Sequence, residues 1–313
     1  MSLCLTVAAQ AADTSAYPTR PITIISTSPP GGPIDVIARP IAQRLGERLG
    51  QSVVIESRAG ANGAIASTDV AKATPDGYTL LVTYLAPVAI NPAMRSDLPY
   101  DSVRDFAPVT QLDSAALVVL VRPDLPIRSI PEMIAYARKH PRKLTFGTVG
   151  PGSAGHLAGT LLAEQAGITL THVPYKGGGP VVTDLLGGHI DMALIGLSGG
   201  MSYVKDGRLR AIGVTTLQRS SLLPEIPAVA ETVPGFEVDS WYGILAPART
   251  PAPIVLKLQS TIAEILSEPA IEALFKNNGV EPKGSTPEAF AAKIKEELAR
   301  WAPVVKKAGL TDK

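Results

Sequence analysis

The chain has 313 residues, 45% apolar and 18% charged, with a formal net charge of +1. That is the composition of a soluble globular protein with room for two domains, and it provides no global pull toward nucleic acid or an anionic membrane. Aromatic residues at 5% leave little for a base-stacking platform, and a single cysteine, Cys4, cannot make a disulfide framework within one chain. His140, His156, His172 and His189 show no close ligand spacing, so neither a metal nor a cofactor is expected.

In chain order, Ala9-Gln10-Ala11 is a small-x-small cleavage pattern behind a short apolar run. It reads as a truncated export signal, with residues 1–16 set apart as a signal remnant or disordered N-terminus and the periplasm as the expected location. No later apolar stretch is long enough to span a membrane. Residues 22–26 read as an apolar strand, followed by the turn Ser28-Pro29-Pro30-Gly31-Gly32-Pro33 and a helix from Ile34 carrying Ile37, Ile41, Leu45 and Leu49 on one face. Pro40 inside it predicts a bend. Strands are predicted over 53–56 and 78–83, a helix of small residues over 63–73 and a loop-rich stretch over 86–106.

Residues 116–121 are a continuous apolar run, read as a buried strand, and Ser129-Ile130-Pro131-Glu132 opens a helix that runs to His140. A strand at 144–149 leads into Gly150-Pro151-Gly152-Ser153-Ala154-Gly155 and a helix stopped by Gly167. Strands at 171–174, 191–195 and 209–215 follow, with a helix after Gly177-Gly178-Gly179. A buried strand at 241–246 and helices at 253–266 and 270–277 come next. The last helix is capped by Thr286 with Pro287 at its first position, and Phe290, Ile294, Leu298, Trp301 and Val305 form one face. Alternating strands and helices imply parallel sheets with crossover helices, in which ligands sit beyond the carboxyl ends of the strands.

Two of these strand–glycine turn–helix units share a design. A helix start leaves N–H donors unpaired at the positive end of the helix dipole, a ready site for a carboxylate or phosphate. The apolar strands near 117–121 and 241–246 bracket a central α/β block, which suits a double hinge between two lobes that close on a ligand. The expected division is 17–118 for the first lobe, 119–242 for the second and 243–313 for the return to the first.

The residues that fall in these positions resemble one family. Tyr17-Pro18, Arg20-Pro21-Ile22, Pro30-Gly31-Gly32, Asp35, Ala38-Arg39, Glu56, Arg58, Gly60-Ala61, Gly63, Pro75-Asp76-Gly77-Tyr78, Asp105-Phe106-Ala107-Pro108-Val109, Gly147-Thr148, Gly152-Ser153, His156-Leu157-Ala158, Pro174-Tyr175-Lys176-Gly177 and Trp241 with Gly243 run in order along nearly the whole chain. In that order they resemble the substrate-binding proteins of the tripartite tricarboxylate transporter family, the Bug receptors. The resemblance implies a type II periplasmic-binding fold, in which two α/β lobes joined by crossing hinge strands enclose a small carboxylate and deliver it to a two-component membrane transporter. It also implies that the loops 28–35 and 148–156 grip the carboxylate. Thr27-Ser28 stand where the family usually has Pro-Phe, which makes that wall smaller and more polar. The run from Gly196 to Gly200 lacks the aspartate many relatives carry there, which disfavours a ligand amine.

Ser28, Pro30, Gly31, Gly32, Asp35, Thr83, Tyr84, Thr148, Gly152, Ser153, Ala154, His156 and Gly196 are the candidate ligand-binding residues. Several keep a structural alternative. His156 in a first helical turn reads as a cap or packing residue ahead of a ligand contact, Asp35 as ordering its own loop with the Gly31 and Gly32 backbone facing the ligand, and Thr83-Tyr84 at a strand end fit either a pocket or a local hydroxyl pair. Tyr175 and Lys176 read as structural or rim residues, and Arg39 as a paired structural charge.

Residues 150–155 also spell G-x-G-x-x-G, the turn of a nicotinamide-dependent oxidoreductase. The acidic residue expected about 20 positions on is absent from Thr171-His172-Val173-Pro174-Tyr175-Lys176. A hydrolase built on Ser153 and His156 fails the nucleophile-elbow pattern, because position 151 is proline. The reading is a monomeric receptor that performs no chemistry and has no nucleic-acid partner.

Overall fold

The computed structural model describes residues 16–311; the expected export signal and Cys4 lie outside the described residues. β1 (Ile22–Ser26) runs into α1 (Pro33–Leu49), β2 (Val53–Ser57) into a 3-10 turn and α2 (Ala64–Ala71), and β3 (Thr79–Tyr84) into a π-helical turn at Ala86–Ile90 and the short α3 (Asn91–Met94). The helical turns at 86–94 replace an expected loop. Pro87 and Pro92 occupy first-turn positions that need no N–H, and the side chains of the π turn are all buried. α1 continues through Pro40 without interruption and stops at Gly50, which takes the left-handed conformation.

β4 (Phe106–Gln111) and β5 (Asp113–Ser114) were not legible from periodicity, because Pro108 breaks the first and the second is two residues long. β6 (Leu117–Val121) then enters a second sheet and is followed by α4 (Ile130–Lys139), β7 (Thr145–Thr148), α5 (Ala154–Ala166), β8 (Thr171–Pro174), α6 (Gly178–Leu186), β9 (Met192–Gly196), α7 (Met201–Lys205) and β10 (Arg210–Val214). The chain returns through β11 (Tyr242–Pro247), α8 (Ala252–Leu266), α9 (Pro269–Asn277), β12 (Glu281–Pro282) and α10 (Pro287–Lys307).

The first sheet has the order β2-β1-β3-β11-β4 and the second β10-β6-β9-β7-β8. Both are mixed rather than parallel throughout. β11 arrives from the other lobe and pairs antiparallel with β3 and β4, and β6 pairs antiparallel with β9 and β10. The strands joined by crossover helices remain parallel: β1 with β2 and β3, and β7 with β8 and β9.

The two passages between the sheets are tied side by side. Ala116 bridges Asp239, Ser240 N–H donates to the Ala115 carbonyl at 3.0 Å, and Leu112 N–H to the Tyr242 carbonyl at 2.8 Å. A carboxylate on each passage caps the other: Asp113 accepts the Tyr242 N–H at 2.7 Å, and Asp239 accepts the Ala115 N–H at 2.9 Å and the Ser114 hydroxyl at 3.0 Å.

Behind the passages, α10 lays Phe290, Ile294, Trp301 and Val305 into an apolar cluster that runs through both lobes, with Trp241 edge-on to Phe290 at 5.1 Å. Glu297 interrupts that helical face yet is buried. It accepts Trp301 Nε1–H at 2.6 Å and lies 3.2 Å from Lys293 Nζ, so the charge is paired as burial demands. The opposite face of the first sheet packs on α1 and α8.

Candidate functional site

A cavity of about 690 Å³ opens between the two sheets. Gly31, Val36 and Ile37 at the start of α1, Asn62, and Tyr84 with the turn that follows it form the wall from the first lobe. Pro151 to Gly155 at the start of α5, Gly178 at the start of α6, and residues 194–199 form the wall from the second. Ala115, Ala116, Ser240 and Tyr242 come from the crossing passages, and Asn278 to Val280 from the turn after α9. None of the described residues lining it is Asp, Glu, Lys, Arg or His. A second concavity of about 710 Å³, between α1 and the edge strand β2, is lined by Arg39, Gln43, Glu47 and Val54 among others and shares no residue with the cleft.

The two glycine loops are built on one plan. Gly31 (φ +76) donates its N–H to Asp35 Oδ2 at 2.9 Å; Gly152 (φ +71) donates its N–H to His156 Nδ1 at 3.2 Å. Positive φ turns each amide back toward the first turn of the helix it precedes, and glycine permits that without steric cost. The N–H groups that the sequence offered to a ligand at Gly31 and Gly152 are therefore taken by the protein. Past the loop, Ala154 and Gly155 at the start of α5, and Ile34 and Asp35 at the start of α1, have backbone N–H groups without an acceptor among the described residues.

In the first loop, Arg39 Nε donates to the same Asp35 oxygen at 2.7 Å. That hydrogen bond, with the Gly31 N–H, holds the Asp35 carboxyl below its usual range. The Ser28 carbonyl accepts the Ser57 hydroxyl at 2.6 Å, and Thr27 is pinned to the Val82 carbonyl. In the second loop Ser153 caps α5, accepting the His156 N–H at 3.3 Å while its hydroxyl donates to the Gly150 carbonyl at 2.7 Å. Thr148 Oγ1 is fully buried, 2.7 Å from His172 Nε2. His156 stacks on His172 with ring centroids 3.9 Å apart. Burial lowers the His156 pKa, and burial together with His156 lowers that of His172 to about 4, so both rings are neutral at pH 7.

On the first-lobe wall, Asn62 is left-handed and accepts the Tyr84 hydroxyl at 2.7 Å, while its amide donates to the buried Asn91 at 2.9 Å. Burial raises the Tyr84 phenol to about 12, keeping it a neutral donor. Tyr242 is its register partner on β11 and is likewise raised by burial. Two glycines on the cleft lie close to the facing lobe. A Cβ on Gly152 would lie 3.3 Å from Met94 Sδ, and one on Gly279 would lie 2.9 Å from Ser198 N.

Of the residues selected from sequence, Gly31, Tyr84, Gly152, Ser153, Ala154 and Gly196 line the cleft. Ser28, Pro30, Gly32, Asp35, Thr83, Thr148 and His156 do not. Thr83 and Thr148 are fully buried because they sit inside strands that are flanked on both sides, Pro30 faces outward, and Asp35 and His156 turn onto their own loops. Asn62, Gly178, Ser198, Ser240, Tyr242 and Asn278 were not selected. Asn62 lies within the Gly60 to Gly63 motif and Tyr242 beside Trp241, signals that mark the neighbourhood but not which side chain reaches the cleft.

Two α/β lobes, a double crossing and helix starts opening from both sides onto one uncharged cleft define a solute-binding receptor of the type II periplasmic-binding class. The chain belongs to the tripartite tricarboxylate transporter receptor family, whose profile matches residues 37–310. It is 39% identical over 292 residues to a protein from the tcbD–tcbE intergenic region of Pseudomonas sp. strain P51, covering 93% of this chain and 87% of that one. Among solved structures it is similar to Rpa4515 of R. palustris with adipate, at 37% identity and a TM-score of 0.78 over 94% of this chain and 98% of that one. It is also similar to MatC from Rhodopseudomonas palustris with bound malate, at 31% identity and a TM-score of 0.74 over 92% and 100%. Family membership gives no support to the oxidoreductase alternative. Among the described residues, no helix is long and apolar enough to cross a membrane.

Proposed function

We propose that this protein captures a small organic carboxylate in the periplasm and presents it, as a monomer and without chemistry, to a tripartite tricarboxylate-type membrane carrier. The observation that carries the reading is the pair of helix starts, α1 and α5, opening from opposite lobes onto one cleft whose described lining contains no charged side chain. Each helix start is worth roughly half a positive charge, so an anion gains there what an uncharged wall does not supply. The adipate and malate complexes of the two Rhodopseudomonas relatives support the same ligand class.

In this reading the α5 start holds the carboxylate through the Ala154 and Gly155 N–H groups and Ser153, with Gly31, Gly152, Gly196 and Tyr84 against the ligand. Ser28, Pro30, Gly32, Asp35, Thr83, Thr148 and His156 shape the loops. The lobes comprise 17–118 with 243–313, and 119–242, and the paired passages at 112–116 and 238–242 serve as hinge. Ser153 hydrogen-bonds the Gly150 carbonyl rather than the ring of His156, which argues against a nucleophile–base pair.

A thermal-shift screen of the purified protein against organic acids, amino acids and nicotinamide dinucleotides tests this. Selective stabilisation by an acid is expected, about 2.7 kcal/mol at a hundredfold excess over Kd. Stabilisation by a dinucleotide alone would overturn the receptor reading.

A further inference from the structure

We propose that α10 is a strap behind the passages that opposes closing of the cleft, and that its grip on the far end of α5 holds down the affinity for the ligand. The proposal rests on the receptor reading above, with the paired passages as hinge, and adds what sets the balance between open and closed lobes. The return passage separates two sides. Ser240 and Tyr242 line the cleft. The residues between and beside them face α10: Asp239 Oδ2 lies 3.8 Å from Lys293 Nζ, Trp241 meets the Phe290 ring edge-on at 5.1 Å, and a Cβ on Gly243 would run into that same ring. This is the two-residue alternation of an extended chain, and it puts α10 on the side of the passage away from the ligand. None of the described residues lining the cleft belongs to α10.

α10 is rooted in the first lobe, where it packs on β4, α3 and the π turn, but it also reaches α5 in the second. Its Trp301, Val304 and Val305 share one apolar cluster with Leu157, Leu161 and Leu162 of α5. Arg300 donates to the Glu237 carboxylate at 2.7 Å and to the Glu237 carbonyl at 3.1 Å, and Lys307, the last residue of α10, pairs with Glu164 near the end of α5. α5 is therefore a lever. Ala154 and Gly155 at its start line the cleft, and Glu164 lies about 15 Å further along the helix axis, against α10. With the pivot at the passages, bringing the α5 start toward α1 carries Glu164 away from Lys307. Each attraction between α5 and α10 thus favours the open arrangement, and a ligand that needs the closed one binds more weakly by the same factor. The Glu164–Lys307 pair is the part of the grip that can be cut without opening a core, since its side chains are 37% and 62% exposed.

Glu164→Gln, Lys307→Gln and the two together test this. Small-angle X-ray scattering of the ligand-free proteins reads the lobes, and isothermal titration with adipate, malate and benzoate reads affinity. All three variants should have a radius of gyration below that of the wild type. They should bind the acid about three- to fivefold tighter, a gain that an unfolded variant cannot give, and the double variant no tighter than either single one, because the same pair is lost in each. Tethering is the converse. Glu164→Cys with Lys307→Cys, in a chain whose one native cysteine is removed by Cys4→Ser, is joined by a reducible bis-methanethiosulfonate linker. The linked protein should bind at least about tenfold more weakly than the same protein after reduction. Charge variants that bind no tighter than the wild type, or a linker that leaves affinity unchanged, would overturn the strap and leave the receptor reading intact. Failure of every acid to bind would overturn the receptor reading, and scattering alone would then decide the strap: an unaltered radius of gyration in all three variants overturns it as well.

Discussion

The N–H of Gly152 points at Nδ1 of His156, four residues on and 3.2 Å away. The other lobe repeats the device with Gly31 and Asp35 at 2.9 Å. Two helix starts of opposite lobes are therefore clasped by different side chains in the same geometry. In each, the clasp spends the loop's first amide on rigidity and leaves the next amides of the helix unpaired.

Asp35→Ala removes the acceptor for Gly31 and the partner of Arg39. The expected cost is about 1–2 kcal/mol of stability, a hydrogen bond to a charged group in a partly buried loop. A faster amide exchange confined to the 29–35 loop and a weaker affinity for the carboxylate probes should accompany it. Hydrogen exchange by mass spectrometry with calorimetry checks both; unchanged exchange in that loop would remove the clasp from the account.

The histidine pair makes the second loop acid-sensitive. A histidine in the unfolded chain takes up a proton near 6.5, whereas His172 in the fold does so only near 4 and His156 is also lowered. Between those values the unfolded state binds more protons, so stability is complete above pH 6.5 and falls as pH drops toward 4. Protonating Nδ1 of His156 also abolishes the acceptor for Gly152 N–H. His172→Gln should flatten the acid limb of a melting-temperature profile measured between pH 7 and 4; a wild-type profile flat over that range would contradict the assignment.

The paired passages between the sheets carry the opposite sign. Asp113 is fully buried, its Oδ2 has no partner among the described residues, and burial raises its pKa well above the ordinary carboxyl value of 3.8, with Asp239 adding to the shift. The folded state keeps the proton where the unfolded state has lost it, so stability declines as pH rises from 3.8 toward the raised value. Asp239 is raised too, again mainly by burial, and is tempered by Lys293 at 3.8 Å; Tyr242 is the third titratable neighbour. Asp113→Asn keeps an acceptor for the Tyr242 N–H and stays neutral. It should match the wild type near pH 4 and exceed it at pH 8 in urea unfolding, with a reduced rather than abolished slope because Asp239 remains.

Gly279→Ala drives a Cβ against the backbone of the facing lobe and strains a residue at φ +74. The contact is backbone to backbone, so no rotamer change can relieve it. The expected result is a more open pair of lobes, seen as a larger radius of gyration in X-ray scattering, and a ligand off-rate at least about tenfold faster with a smaller change in on-rate. A variant with unaltered scattering and kinetics would show that the contact does not limit closure.

How much of this was legible without coordinates depends on whether the signal is local. The helix from Pro287 announces itself through the Thr286 cap and the spacing of Phe290, Ile294, Trp301 and Val305, and the fold finds all of them buried or capping. The turn-and-helix units at 28–35 and 148–156 were likewise visible, since glycine, proline and small polar residues set backbone angles within a few positions. β4 was hidden because pairing with β11 from far along the chain, not its own alternation, makes it a strand. Glu297 stands on an apolar helical face for a reason only Lys293 and Trp301 reveal.

The sequence by itself determined the family, the two-lobed α/β class and the pair of glycine-rich helix starts, because these rest on short-range geometry and on motifs in fixed order. Only the tertiary structure decided which amides stay free, since Asp35 and His156 claim Gly31 and Gly152 through side-chain directions that spacing does not fix. It also decided that Asn62, Tyr242, Ser198 and Asn278 meet in one cleft. Those four come from segments as much as 216 positions apart, and the force that joins them is the packing of two sheets around a shared crossing, which no local pattern carries.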